Sequence, residues 1–429
     1  MNKINLISQN YQKEYGNVEN WNEETKNRYI LEMINETLKI AQNNEFFKNK
    51  MRKIENGNIE SLKEFEDIDF TYKDELRGHP YKTVCVGKDK LSQINISTGT
   101  TGGECIYVFY SLEDLYGSEI RIHYPTLIPV SKTDMIVNAL PYELSSSGLS
   151  FQRVFQIGEE AMVLPAGKGG TYSSPEKTVK LMHVLESEIL LTTPSHAALL
   201  YEIAVNLGLN PIKDFNLKKI WLTGEGCSNN FRKRIEKIWG CEAFYYYGSL
   251  ECGTLGIECS EKDGYHIPEA HIYIEIVNPR TGEKCKDGEI GEVVTTTLLR
   301  EGNPFIRYKT GDLGYVVNKK CKCGVNHKKL YLCGREGDQL LINGKSFSPY
   351  FIENAIMEVA EIGLWYKLLV ENNQLNIIVE PDLKCNSSEA EIMDKVKAAV
   401  EKMCNITPKV YVVEKVPRVL TKAIRVIKE

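Results

Sequence analysis

Five short clusters in the 429-residue sequence carry residue types that suit nucleotide chemistry. Ser97-Thr98-Gly99-Thr100-Thr101-Gly102-Gly103 is the sharpest. Its glycines let backbone N–H groups approach phosphate oxygens, and its hydroxyls add donors. It lacks the GK[ST] ending of a Walker loop, so alone it reads either as a phosphate cradle or as an ordinary flexible hairpin loop. Tyr246-Tyr247-Gly248-Ser249-Leu250-Glu251 sets a carboxylate just beyond a predicted strand end, where open α/β sheets bind ligands. That carboxylate suits a Mg²⁺ accompanying nucleotide phosphates, or is a solvated turn glutamate. Tyr308-Lys309-Thr310-Gly311-Asp312-Leu313 ends a predicted strand with an acid able to accept both hydroxyls of a ribose, or to close a turn. Gly334-Arg335-Glu336-Gly337-Asp338 falls where the character of the chain changes. Pro417-Arg418-Val419-Leu420-Thr421-Lys422 places a lysine late in the sequence, where lysines are usually solvated.

A further cluster concerns metal. Cys259 and His266 form a C-x6-H pair, and Cys321-Lys322-Cys323 follows. Three thiolates and one imidazole make a closed zinc set, which is structural because four protein ligands leave no open position for catalysis. Ordinary buried thiols are the competing reading, and His327 and Cys333 are spare candidate ligands.

The elements that must position these residues follow an α/β pattern. Ile30, Met33, Ile34, Leu38 and Ala41 recur at near-helical spacing in an N-terminal stretch of helical or irregular character. Leu91 to Ile96 alternates like a strand. Ile189 to Thr193 reads as a buried strand, and Pro194-Ser195 opens a helix ending at Gly208. Lys219 to Thr223 and Ala243 to Tyr247 are strands around a helix closed by Gly240. After about His266 the strands become hairpin-like: His271 to Val277, Glu292 to Leu298, then Phe305 to Tyr308. Beyond Gly337 a compact α+β segment follows, with helices from Pro349 to Val359 and Ser388 to Met403, a hairpin turning at Asn372-Asn373, and a final strand near Val410 to Val413. The fold expected is therefore α/β: a large N-terminal layered domain, 1–337, with an appended small β-barrel, and a small C-terminal α+β domain, 338–429.

Composition narrows the function classes. The chain has 42% apolar residues, and 53 Lys plus Arg against 58 Asp plus Glu give a formal charge of −5. That balance disfavours nucleic acid and anionic membranes, which need clustered positive charge. The sequence opens without the apolar core and cleavage site of a signal peptide, and no 18-residue apolar span occurs. Twelve cysteines in such a chain read as reduced thiols in a cytoplasmic protein rather than as a disulfide framework.

In their joint order and separations, the five nucleotide clusters resemble the adenylate-forming superfamily of acyl-CoA ligases, and more narrowly the phenylacetate-CoA ligase family. Phe70-Thr71-Tyr72-Lys73-Asp74-Glu75-Leu76-Arg77 resembles that family's F-T-x-K-x-x-L-R stretch, and Thr193-Pro194-Ser195 its T-P-S turn. Some of its members also show C-x6-H and C-x-C-G pairs. The resemblance implies that ATP and a carboxylic acid form an acyl-adenylate with release of pyrophosphate, after which a thiol, usually coenzyme A, displaces AMP. Carboxylate attack on the α-phosphate brings anions together, so positive charge, a metal and backbone donors must offset their repulsion. By carry-over, Ser97, Thr98, Gly99, Thr100, Thr101 and Gly102 hold the β- and γ-phosphates, and Glu251 binds Mg²⁺. Asp312 binds the ribose with Arg335 assisting, and Gly224, Glu225, Tyr247 and Gly248 flank the adenine. Lys422 bridges the substrate carboxylate and AMP during adenylation, and a mobile C-terminal domain permits it to leave before the thiol attacks. The acid pocket is expected around Tyr142, Ser147, Gly148 and Tyr247, with Phe151 adding an aromatic wall or, alternatively, these aromatics serving as core.

Two departures from the family pattern stand out. Relatives commonly carry Lys where this chain has Gly103, which bears on phosphate affinity. They also carry an Asp where this chain has Gly337, although glycine tolerates the rotation a hinge needs. The first functional expectation is a CoA ligase for an aromatic or small acid. A second is an adenylation enzyme loading a carrier-protein phosphopantetheine or an amine. A third, from another class, is a non-catalytic nucleotide-binding or zinc-stabilised interaction protein, against which intact Lys422, Glu251 and Asp312 argue. Homodimer formation is left open.

Overall fold

The computed structural model describes residues 17–54, 57–97, 103–119, 124–145 and 147–427. Contacts group the chain into two compact units. Unit 1 comprises Met1–Asp134, Pro141–Pro165 and Tyr245–Leu332, and unit 2 comprises Met135–Leu140, Ala166–Phe244 and Cys333–Glu429. The fold is mixed α/β, as the alternation of strand and helix periods predicts.

In unit 1, helix α1 (Glu23–Ala41) starts at Asn22, whose side chain accepts from the Thr25 amide. Its apolar face, Tyr29, Ile30, Met33, Ile34, Leu38 and Ala41, is buried as the spacing required. Strands β1 (Leu91–Ile96) and β2 (Tyr107–Ser111) pair antiparallel. Helix α2 (Ser147–Arg153) and the short strand β4 (Met162–Pro165) follow. The main sheet of the unit then builds from β7 (Glu242–Ser249), β8 (Gly253–Ile257), β9 (Tyr265–His266), β10 (Ile272–Val277), β11 (Gly291–Thr297), β12 (Tyr308–Val317) and β13 (Lys329–Arg335). Their order in the sheet is β10-β11-β12-β13-β9-β8-β7. Its core includes Val108, Tyr110, Leu255, Ile272, Val293, Phe305, Tyr308 and Leu330.

One predicted strand is displaced. Phe305 and Ile306 are buried but lie outside any strand, and β12 begins only at Tyr308. The cause lies at Arg307, whose φ of +44° breaks the extended run while its guanidinium pairs with buried Glu275 at 3.0 Å. From there β12 continues through Asp312 to Val317. Asp312 therefore sits inside a strand and not at its end, next to Gly311, which has φ +76°.

In unit 2, β3 (Met135–Asn138), β5 (Ile189–Thr192) and β6 (Lys219–Thr223) run parallel. Helices α3 (Pro175–Val184), α4 (Pro194–Asn206) and α5 (Asn229–Trp239) follow the crossover logic of parallel strands. Thr193 caps α4 by accepting from the His196 amide. Gly240, with φ +69°, ends α5. The β14 (Leu340–Ile342) and β15 (Lys345–Phe347) hairpin precedes helix α6 (Pro349–Ile356). Strands β16 (Ile362–Glu371) and β17 (Gln374–Pro381) turn at Asn372-Asn373, both at positive φ. Helix α7 (Glu389–Cys404) carries a capping box of Ser388 and Glu391. Strand β18 (Lys409–Val412) pairs parallel with β17, and a short β19 (Val426–Ile427), not the expected Val410 region, is the last strand, parallel to β16.

Candidate active site

Unit 1 holds two of the expected acids, each buried and each oriented by a phenol. Glu251 follows β7 in a turn, and its Oε1 accepts from the Tyr308 hydroxyl at 2.9 Å. The Lys73 ammonium lies 3.6 Å from the same oxygen. Arg300 donates to the Glu251 carbonyl and sits over the Tyr110 ring at 4.6 Å. Asp312 Oδ2 accepts from the Tyr247 hydroxyl at 2.5 Å, across from β7 to β12. Two hard oxygen donors thus stand at defined positions, Glu251 in the turn after β7 and Asp312 within β12 of the same sheet. Buried carboxylate oxygens need hydrogen-bond partners, and the two phenols supply them.

The other predicted positions of unit 1 fall as follows. The Ser97 hydroxyl accepts from the Ile106 amide at 2.8 Å, closing the mouth of the β1–β2 hairpin. Thr98, Gly99, Thr100, Thr101 and Gly102 lie outside the described residues. Arg77 Nη1 donates to the Glu104 carbonyl at 3.0 Å and stands 3.1 Å from where a side chain at Gly103 would begin. Tyr142 and Gly148 touch: a Cβ at Gly148 would meet the Pro141 carbonyl at 2.6 Å and the Tyr142 ring at 2.8 Å, so only glycine fits there. Ser147 lies beside them with its hydroxyl 3.1 Å from that of Ser145. Phe151 meets Tyr246 edge-on at 4.8 Å. Gly248 allows β8 to approach, since a Cβ would come within 2.7 Å of the Gly253 carbonyl.

Unit 2 holds a second cluster, centred on Glu225. Gly224 precedes it with φ +80°. The Glu225 carboxylate accepts from the Ser195 hydroxyl at 2.7 Å and the Ser195 amide at 3.2 Å. It also pairs with Lys168 Nζ at 3.2 Å and accepts from the Ala423 amide at 3.3 Å. Burial pushes this carboxyl up, but Lys168, Arg425, Ser195 and the Ala423 amide outweigh burial and leave it below the usual range. Lys422 is exposed and lies between Thr421 and Ala423, both of which touch this cluster. Arg335 is exposed at the end of β13, its carbonyl accepting from Gln339.

Cys259, His266, Cys321 and Cys323 come together in unit 1, with ligand atoms all within 4.8 Å of one another. The Cys259 and Cys321 sulfurs are 3.6 Å apart, and Cys323 Sγ lies 3.4 Å from His266 Nε2. Burial, with His327 and Lys329 nearby, pushes the His266 imidazole down to about 3, so it stays a neutral donor. Of the spare candidates, the His327 ring instead meets the Val18 carbonyl at 2.9 Å, and Cys333 is not a member of the group. The donor set, three thiols and a neutral imidazole, fits zinc.

Sequence reading missed the partners. Lys73 lies in the quoted F-T-x-K-x-x-L-R stretch without an assigned role. Lys168 was not singled out, although glycines flank it in Gly167-Lys168-Gly169-Gly170.

The AMP-binding enzyme C-terminal domain family matches residues 344–429. The chain is 31% identical over 337 residues to the phenylacetate-coenzyme A ligase of Thermus thermophilus, across 76% of this chain and 73% of that protein. It is 29% identical over 382 residues to the phenylacetate-coenzyme A ligase of Escherichia coli K12, across 85% of each. In fold it is similar to 2-hydroxyisobutyryl-CoA ligase in its postadenylation state with R3-HIB-AMP, at a TM-score of 0.87 and 21% identity, covering 96% of this chain and 91% of that one.

Proposed function

The chain belongs to the phenylacetate-CoA ligase family, and from that premise we propose that it is an AMP-forming acid–thiol ligase. It activates an aromatic or small carboxylic acid with ATP as an acyl-adenylate, releases pyrophosphate, and passes the acyl group to coenzyme A. The observation that carries this reading is the pair of buried acids, Glu251 and Asp312, each fixed by a tyrosine hydroxyl. Paired carboxylates at fixed positions suit the two things a nucleotide asks for, a metal ligand and an acceptor for ribose hydroxyls.

In this assignment Asp312 accepts the ribose hydroxyls with Arg335, and Gly224-Glu225 and Tyr247-Gly248 flank the adenine. Because the Glu225 carboxylate is already shared among Ser195, Lys168 and Ala423, its contribution to adenine is through the backbone. Glu251 is the Mg²⁺ ligand, and a bound Mg²⁺ supplies neutralising charge to the phosphates. Ser97 to Gly102 cradle the phosphates, and Arg77, beside Gly103, supplies positive charge that a lysine there would have carried. Lys422 bridges the acid carboxylate and the adenylate phosphate, offsetting their repulsion as the bond forms. Tyr142, Ser147, Gly148 and Tyr247 line the acid pocket. Strands β10–β13, contiguous in the sheet, are the small barrel appended to the α/β layers, pinned by a structural zinc on Cys259, His266, Cys321 and Cys323. Residues 338–429 are the small mobile domain that carries Lys422, and the protein acts in the cytoplasm. Among the described residues no helix is long and apolar enough to cross a membrane.

The test is acid-dependent exchange of pyrophosphate into ATP across a panel of aryl and short aliphatic acids. Exchange is expected with wild type and a loss of about 100- to 1,000-fold in Lys422→Ala, the scale of removing one transition-state charge partner. Thioester formation is then followed with coenzyme A and with a phosphopantetheine-loaded carrier protein as acceptors. Measurable ATP binding without exchange on any acid would refute the ligase reading.

A further inference from the structure

Residues 413–425 form neither helix nor strand, and between backbone bonds at the ends of the segment, Val413 to Val379 and Leu368 to Arg425, the backbone around Lys422 is held by side chains. Two of them grip it on either side. Lys168 Nζ donates to the Thr421 carbonyl at 3.2 Å, and the Ala423 amide donates to Glu225 Oε1 at 3.3 Å. Lys168 and Glu225 are themselves paired at 3.2 Å, so one ion pair clasps the residues before and after Lys422. Both partners are buried, at 8% and 5% exposure. Ser195, in the first turn of α4, fixes Glu225 from behind with its hydroxyl and its amide. The loop bearing Lys168 is shaped for this approach. Gly169 has φ +126°, and a Cβ there would come within 3.1 Å of Leu420.

A buried ion pair is weak evidence for stability, because desolvation of two charges offsets their attraction. Its effect is geometric: the pair fixes two backbone groups that flank one side chain. Resting on the reading of Lys422 as the adenylation lysine, we infer that Lys168 is a positioning residue for that step, holding Thr421 directly and Ala423 through Glu225. The bonds are polar and few, so they hold the segment for adenylation without committing it afterwards. A transition-state contact displaced by about an ångström loses on the order of 100-fold in rate. Lys168 is therefore expected to matter for adenylation and not for thiol attack, in which Lys422 has no part.

The experiment separates the two half-reactions in the same preparations of wild type, Lys168→Met, Lys168→Gln, Lys422→Ala and the double variant Lys168→Met/Lys422→Ala. Adenylation is read as pyrophosphate exchange with phenylacetate, or with whichever panel acid the wild type uses. Thioester formation is read from the preformed acyl-adenylate plus coenzyme A. Lys168→Met is expected to lose about 10- to 100-fold in exchange, while thioester formation stays within about two-fold and the double variant exchanges no more slowly than Lys422→Ala. Lys168→Gln, which keeps a donor for Thr421, is expected to fall between, and it supplies the ratio should Lys168→Met fold poorly. Equal loss of both half-reactions, or multiplicative loss in the double variant, would overturn the positioning role while leaving the ligase reading intact. Undiminished exchange in Lys422→Ala would overturn the ligase reading and this inference together.

Discussion

At the scale of single residues, the unit 2 cluster has a titratable neighbour that does no work in the proposed reaction. His196 is buried in α4 with neither ring nitrogen hydrogen-bonded, and it faces the Lys168 and Glu225 pair. Burial, with Lys168 adding repulsion, pushes its imidazole down to about 3. In the unfolded chain that ring takes a proton near pH 6.5, while the folded protein refuses it until about pH 3. Stability from this residue is therefore fully present above pH 6.5 and is lost as pH falls, by about 2 kcal/mol between pH 7 and pH 5. Urea midpoints of wild type and His196→Leu should converge or cross as pH drops over that range, and parallel curves would contradict the buried-neutral state. At this scale the sequence is informative about acids and poor about partners. Glu251, Asp312 and Lys422 stand out because a family pattern surrounds them. Lys73 and Ser195 lie in quoted family stretches and Lys168 among glycines, but their partners stand 178, 30 and 57 positions away, and no local pattern names those partners.

At the scale of elements, the Cys and His set ties three pieces of one sheet together. Cys259 follows β8, His266 lies in β9 opposite Lys329 of β13, and Cys321 and Cys323 lie in the connection from β12 to β13. Strand β9 is two residues long, so it draws little stability from its own ladder. Zinc on this set is expected to contribute several kcal/mol, as it does where ligands converge only on folding. One zinc per chain should be found by elemental analysis. Chelation should lower the melting temperature, and Cys321→Ser should abolish both the metal and the chelator sensitivity. A metal-free protein of unchanged stability would leave these as ordinary unligated thiols. The strands themselves were legible where the signal is local, whether alternation at Leu91–Ile96, a short apolar run at Lys219–Thr223 or the Asn372-Asn373 turn, and all three form. Phe305 to Arg307 misled because the run is apolar enough for a strand, yet Arg307 turns aside to reach Glu275, a partner in β10.

At the scale of the whole molecule, the chemistry sets a requirement that no single arrangement satisfies. In the proposed reaction Lys422 would have to reach the reacting carboxylate for adenylation, and the thiol would later have to reach the same carbon. A segment fixed by secondary structure would meet the first demand only. Between backbone bonds at its two ends, Val413 to Val379 and Leu368 to Arg425, the segment 413–425 is instead held by side-chain bonds: Lys168 and Glu225 around Lys422, Arg418 to Glu202 and Glu380, and Arg425 to Glu353. Such contacts are of the kind that would be exchanged for others if the proposed C-terminal domain turned. Gly337 is the proposed pivot, and a Cβ there would meet nothing within 4 Å. Gly337→Ala therefore costs nothing in the described conformation but narrows the backbone rotation open to the hinge. Pyrophosphate exchange should be unchanged in this variant, whereas thioester formation should slow by about two- to five-fold, the conformational difference between glycine and alanine. A loss confined to exchange would place the pivot elsewhere, because the substitution would then be acting on the arrangement that makes the adenylate rather than on departure from it.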